Sequence, residues 1–184
     1  ITEAARIAAR IGYPVVLKSQ ILRGGRGKAG GIQFAETDAG LKEKVATLLG
    51  ADISVETVEK LLIEEKIDGA KEYYAGITLD PRRSLPMLMV SAKGGIDVED
   101  VAQRMPEHLH TLPLDPTRAV ELYHLLPVVS KTGATGKALV QISKTLQKLI
   151  SGFYRYEAVT VEINPLMIGP DTSVVAADSK IEID

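Results

Sequence analysis

Cysteine is missing from all 184 residues. That excludes a disulfide framework, a thiolate zinc site and cysteine catalysis within them. A chain of this length buries roughly 70% of its unfolded surface and needs no such staple. The lack of thiols fits a reducing compartment. Tryptophan is missing too, and aromatic residues make up only 4% of the chain, so the core has to be aliphatic. No apolar run approaches the ~20 residues of a membrane span, and no membrane contact is expected. Ile1–Arg10 reads as a charged amphipathic stretch rather than a signal peptide. Neither sign of charge is in excess: 22 basic and 24 acidic residues leave a formal −2. That balance argues against a bulk nucleic-acid binder. The remainder, 45% hydrophobic and 25% charged, is an ordinary globular composition for one domain or two small lobes.

One absence is local. Ala4–Ala35 holds no Asp or Glu, yet carries Arg6, Arg10, Lys18, Arg23, Arg26 and Lys28. The rest of the chain is left with 16 basic against 24 acidic residues. A cationic zone inside a near-neutral protein points to one anionic ligand site. The plain alternative is chance clustering on a solvated helix face.

Thr2 is expected to cap a first helix, with Ile7, Ala8 and Ile11 on one face and Gly12 past its end. Val15–Ile21 and Ile32–Glu36 read as strands on either side of a glycine cluster at Gly24–Gly31. Thr37 or Asp38 caps a helix that runs to Leu49, with Gly50 as its stop. Leu61–Ile67 and Glu72–Leu79 read as strands around an Asp68-Gly69 turn, and Met87–Ser91 as another strand. A short helix is expected near Asp97–Met105 and a further one over Pro116–Leu126, with Pro in its first turn. The longest helix is expected over Gly136–Phe153, with Leu139, Ile142, Leu146, Leu149 and Ile150 as its buried stripe. Val159–Ile168 and Val174–Ile181 close the chain as a strand pair. Helices and strands mix without strict βαβ alternation, which favours an α+β fold with antiparallel pairs. A change of character near Leu79–Pro86 divides the chain into two lobes, 1–79 and 80–184.

Three constellations carry chemistry. Gly25-x-Gly27-x-x-Gly30 matches a dinucleotide fingerprint, but Gly31–Ala35 continues as a strand where that fingerprint opens a helix. The Walker loop fails as well, because Leu22 and Ala29 stand where Gly and Ser/Thr are needed. A kinase reading lacks both its His-Arg-Asp and its Asp-Phe-Gly. What survives is a glycine loop between two strands, whose backbone N–H groups approach phosphate oxygens with no Cβ in the way. Lys18 before the loop, with Arg26 and Lys28 in it, supplies cationic charge for a polyphosphate. The alternative is a solvated hairpin tip.

The second constellation is Glu162-Ile163-Asn164-Pro165-Leu166 with Asp178 and Lys180. A five-residue loop over Gly169–Ser173 sets Ile168 opposite Val174, Asn164 opposite Asp178 and Glu162 opposite Lys180. One face then reads Glu162, Asn164 and Leu166 against Val174, Ala176, Asp178 and Lys180. Converging carboxylate and amide oxygens suit a hard cation such as Mg²⁺, and the alternative is a surface hairpin with alternating polar residues. The third constellation is Leu61 to Asp68 with Lys71 and Glu72, where a strand edge offers backbone groups to a base and Glu72 a carboxylate to ribose hydroxyls; the alternative is a solvated charged strand. His108, His110 and His124 lack the spacing of a metal site.

Lys18-Ser19-Gln20 with Gly24–Gly31, Gly94-Gly95-Ile96-Asp97-Val98-Glu99, and Glu162–Leu166 with Asp178 fourteen residues after Asn164 resemble one family. It is the ATP-grasp domain of succinyl-CoA synthetase (succinate–CoA ligase) β subunits, and motif order and spacing hold from about Ala4 onward. The resemblance implies an ATP-grasp fold, in which two α/β lobes with mostly antiparallel sheets clamp a nucleotide, ATP/ADP or GTP/GDP. It implies that Lys18, Gly25, Arg26 and Gly27 hold the phosphates, that Glu64 and the backbone of Ile67 meet the base, and that Glu72 meets the ribose. Asn164 and Asp178 are then the Mg²⁺ ligands. Glu162 steadies a phosphohistidine carried by a partner α subunit, which also holds the CoA site, and a small carboxylate is the substrate. A cytoplasmic location, or the mitochondrial matrix in a eukaryote, follows from the same resemblance.

The implied activity is succinate + CoA + ATP = succinyl-CoA + ADP + phosphate. Malate or a citrate-type acid, or a nucleotide-binding module without turnover, stand as alternatives. Ala92-Lys93 departs from the family, which carries Thr-Glu there. The residues are expected to be an excised ATP-grasp region with an incomplete second lobe and without the C-terminal CoA-ligase domain.

Overall fold

The computed structural model describes residues 1–22, 25–53, 55–68 and 71–183. Arg23, Gly24 of the glycine cluster and Gly69 of the Asp68-Gly69 turn lie outside the described residues. Two compact units follow one another, Ile1–Ile67 and Asp68–Asp184.

The first unit opens with helix α1, Thr2–Ile11, whose Ala8 is fully buried and which Gly12 ends at φ 96°. Thr2 lies inside the first turn and caps nothing. Strand β1 (Val15–Ser19) returns as β2 (Ile32–Ala35), with Lys18 opposite Ile32, so the glycine cluster is a hairpin connection as expected. Helix α2 spans Asp38–Leu48, and the hydroxyl of Thr37 accepts from the Gly40 N–H at 3.2 Å, satisfying one of the orphan donors of a helix start. A small hairpin, β3 (Asp52–Ile53) and β4 (Glu56–Thr57), went unforeseen because each strand has only two residues. Strand β5 (Leu61–Glu65) completes an antiparallel sheet in the order β2-β1-β5. Alternation puts Val15 and Leu17 into one aliphatic core with Leu41, Val45, Leu48 and Ala8, and turns Val16 and Lys18 to the opposite face.

The second unit is a larger antiparallel sheet. Strands β6 (Lys71–Asp80), β7 (Leu85–Ser91), β8 (His110–Pro113), β9 (Ala158–Ile168) and β10 (Val174–Ala176) lie in the order β10-β9-β6-β7-β8, with β11 (Ser179–Ile183) also on β9. Helix α3 (Val98–Arg104) follows β7, while α4 (Leu122–Ser130) and α5 (Gly136–Arg155) come between β8 and β9. Ile142, Leu146, Ile150 and Phe153 of α5 pack with Tyr73, Ala75, Leu88, Val161, Ile163 and Leu166 of the sheet. Leu139 and Leu149 of the expected stripe are only partly buried. Among the described residues no helix is long and apolar enough to cross a membrane.

Three expectations need correction. The division of units falls at Ile67–Asp68 and not at residue 79, because β6 is bonded on both sides, to β7 and to β9, within the second sheet. The helix placed over Pro116–Leu126 starts instead at Leu122. Asp115 turns the chain by accepting from Thr117, and Glu121 and His124 exchange side-chain and backbone bonds in a capping box. Leu166 is not on the face of Glu162 and Asn164. Between Ala75–Ile163 and Tyr73–Leu166 the β6–β9 register shifts, so two residues of β9, Asn164 and Pro165, stand against Tyr74 alone. Such a bulge reverses the alternation, and Leu166 is fully buried in the core. Leu166→Ala is therefore expected to cost about 2–5 kcal/mol in urea unfolding, as for other buried leucines. A loss near zero would return Leu166 to the exposed face.

Candidate functional site

In the first unit the candidate residues gather around β1. As the middle strand, it has both edges hydrogen-bonded, Lys18 standing between Ile32 and Leu62. The Lys18 side chain, 6% exposed, forms an ion pair with Glu64 on β5. A lysine this deep is retained when it is paired. Past Ser19 the hairpin folds on itself. Ser19 N–H donates to Gly31 O at 2.8 Å, Gly31 N–H to Arg26 O at 2.8 Å and Ala29 N–H to Gly25 O at 3.2 Å. Gly25 (φ +79°) and Gly30 (φ +80°) occupy the left-handed region where side chains are strained. The Arg26 guanidinium reaches back to Ser19 O at 3.0 Å, which fixes its charge at the end of β1. Ile67 lies elsewhere. It follows β5, whose Glu65 pairs with Val15, and Lys66 N–H donates to Pro14 O at 3.1 Å, so Ile67 belongs to the opposite end of β1. β5 is an outer strand of this sheet.

In the second unit the register of the terminal hairpin is the one expected. Ile168 pairs with Val174, Glu162 with Lys180, and Asn164 N–H donates to Asp178 O at 3.1 Å. Asp178 Oδ1 accepts from Ser179 N–H at 3.0 Å. The Asn164 amide uses both ends on the glycine loop after β7: Oδ1 accepts from Gly95 N–H at 2.8 Å and Nδ2 donates to Ile96 O at 2.9 Å. The same loop is tied to Glu72, whose carbonyl accepts from Gly94 N–H at 3.0 Å. A Cβ on Gly94 would overlap the Tyr73 backbone, and one on Gly95 (φ +73°) the Glu72 carboxylate. Glu72, the Gly94–Ile96 loop and Asn164 are thus brought together within this unit.

Burial pushes the Glu162 carboxyl above its ordinary value of 4.5; the Asn164 bond opposes the shift, Glu99 adds to it, and Lys180 opposes it. Tyr74 and Glu99 were not foreseen as neighbours of Glu162. Their only signal was position: Tyr74 alternates onto this face of β6, and Glu99 ends the Gly94–Glu99 motif. A depression of about 470 Å³ beside the loop is lined by Lys71, Glu72, Lys93 and Thr132 among others, which places the unusual Lys93 at its wall. Among the described residues no three His, Asp or Glu side chains converge as a metal cage. The oxygens of Asn164 and Asp178 suit a hard cation that takes one or two protein ligands and completes its shell with phosphate and water. On that chemistry they fit Mg²⁺.

The chain matches the model of an ATP-grasp domain family over residues 1–168. It is 42% identical, over 99% of its length, to the ADP-forming succinate–CoA ligase subunit beta of Methanothermobacter thermautotrophicus, covering 49% of that protein. To the GDP-forming subunit beta of Thermus thermophilus it is 41% identical over 99% of its length, covering 48%. The chain thus spans about half the length of the curated relatives it matches. Among solved structures, PH1788 from Pyrococcus horikoshii superposes with a TM-score of 0.71 at 20% identity, covering all of this chain and 80% of that one. ATP citrate lyase from Methanothrix soehngenii, in complex with citrate and coenzyme A, gives 0.71 at 19%, covering 97% of this chain and 42% of that one. Both likenesses concern the fold.

A carboxyl whose folded pKa is raised binds protons in the native state that the unfolded chain has released. Its contribution is fully present below the ordinary value of 4.5 and is lost as pH rises through the shifted value. Glu162→Gln in magnesium-free buffer is expected to raise the melting temperature at pH 7. The gain should fade as pH is lowered towards 4.5, and thermal unfolding across that range checks it.

Proposed function

The chain belongs to the ATP-grasp domain family, and from that premise we propose that it is the nucleotide-binding part of an acid–CoA ligase β subunit. The reaction is succinate + CoA + ATP = succinyl-CoA + ADP + phosphate. One observation carries this reading: the likeness to succinate–CoA ligase β subunits spans both the glycine hairpin and the Glu162–Asp178 hairpin. The fold has the parts that phosphoryl transfer uses, which are positioning and charge stabilisation.

In the first unit Lys18 and Arg26 stand at one end of β1 and Ile67 at the other, a separation that supports this reading. The Gly25 and Gly27 backbone, Arg26 and Lys18 take the phosphates at one end, and the strand-edge backbone near Ile67 takes the base at the other. Glu64 holds the Lys18 ammonium on the face of the sheet away from its aliphatic core and borders the base. In the second unit Glu72 takes the ribose hydroxyls, and Asn164 and Asp178 hold Mg²⁺. Bound Mg²⁺ neutralises phosphate charge as it develops. Asn164 keeps its amide oriented through Gly95 and Ile96. Glu162 accepts the N–H of an imidazole presented by a partner α subunit, leaving its other nitrogen to take the γ-phosphoryl as ADP departs. The phosphohistidine then phosphorylates the carboxylate, and CoA displaces phosphate.

The complete β subunit assembled with its α partner tests this. ADP formation that requires succinate, CoA and ATP together is the expected result, and none from the unsubstituted assembly would overturn the reading. Lys18→Ala and Asp178→Ala are each expected to lower kcat/KM by about 10²-fold, the scale of removing one charge-stabilising group. Full activity in both would sink the residue assignment. Malate in place of succinate tests the acid.

A further inference from the structure

β6 carries two tyrosines in succession, and strand alternation sends them to opposite faces. Tyr73 enters the aliphatic core. Tyr74 goes to the face of Glu162, and there it is only 2% exposed. Its phenol lies flat along the strand against Gly76, two residues on, where any Cβ would overlap the hydroxyl. Gly76 is paired with Glu162 across the β6–β9 ladder. Directly paired residues hold their Cβ positions about 5 Å apart, so the phenol oxygen stands within reach of the Glu162 carboxylate. Glu162 and Glu99 are the charges that act on it, and burial keeps the phenol protonated. A phenol this deep ordinarily has a partner.

We infer that Tyr74 is a positioning residue, whose O–H donates to one oxygen of Glu162 and leaves the other aimed at an incoming imidazole N–H. The inference rests on the role proposed for Glu162. Catalytic hydrogen bonds are often loose in ligand-free enzymes and tighten when the site is loaded. In the free protein the Glu162 side chain leans on the Asn164 amide. Gly76 is part of the device, because no larger residue lets the phenol lie against the strand.

Tyr74→Phe keeps the ring and removes only the donor. In the assembled full-length protein it should lower kcat about tenfold, the scale of one hydrogen bond to a charged group. The nucleotide KM should stay within about twofold, since the ground-state nucleotide contacts are untouched. In a Glu162→Gln background the same change should cost less than about twofold, because residues acting through one another are not additive. An unchanged rate, or an equal loss in both backgrounds, would overturn the inference. A second measurement does not depend on the reaction: the Tyr74 hydroxyl proton, identified by its loss in Tyr74→Phe, is followed by NMR in the 184-residue chain with Mg·ATP. A resonance that moves on Glu162→Gln supports the contact even if the assembly proves inactive, in which case the functional reading alone falls. A resonance indifferent to Glu162→Gln overturns the contact.

Discussion

Between Ala75 and Tyr73 the β6–β9 ladder slips by one residue, and Tyr74 faces both Asn164 and Pro165. The polar face of the second unit depends on that slip. Before it, Val161 and Ile163 point into the core and Glu162 and Asn164 point away; after it, Leu166 and Ile168 point into the core again. An unbroken strand would have to expose Leu166 or bury Asn164. The bulge removes the conflict, so β9 serves a full apolar core on one side and an unbroken polar pair on the other. Bulges of this kind are used to re-aim side chains at functional sites.

Asn164 then acts as a hub. Its backbone N–H bonds the terminal hairpin through Asp178, while its amide bonds the loop after β7 through Gly95 and Ile96. Two segments distant in sequence are held to one side chain, and the loop brings Glu99 near Glu162. The tight approach of Gly94 to the Tyr73 backbone shows why glycine stands there. In the first unit the corresponding economy is on β1, where Lys18 is buried against Glu64 and Arg26 is tied to Ser19. Cationic charge is fixed by short contacts to the strand, and glycines give the backbone its freedom just beyond it.

Much of this was legible in the residues. The glycine hairpin, the order of strands and helices and the pairing of Ile168 with Val174 follow from local signals: turn glycines, alternation, helical spacing and loop length. Glu162 opposite Lys180 needed only a count across a five-residue loop. The failures share a different cause. The Pro116–Leu126 helix was misplaced because the side-chain bonds of Asp115, Glu121 and His124 decide where the chain turns and where the helix begins. The small β3–β4 hairpin is too short to leave a periodic trace. Leu166 was put on the wrong face because a bulge has no signature in a strand's own residues; it is a relation between two strands.

Sequence alone therefore determined what depends on neighbours along the chain. That includes the α+β class, the segregation of basic residues into Ala4–Ala35, the glycine loop and the spacing of Glu162, Asn164 and Asp178. Alternation and turn chemistry act over a few residues, so they can be read there. Tertiary structure decided which of those residues meet: Lys18 with Glu64, Asn164 with Gly95 and Ile96, Tyr74 with Gly76 beside Glu162. Those contacts join positions as much as 69 residues apart. They arise from the ladder register and from burial, which no local pattern specifies.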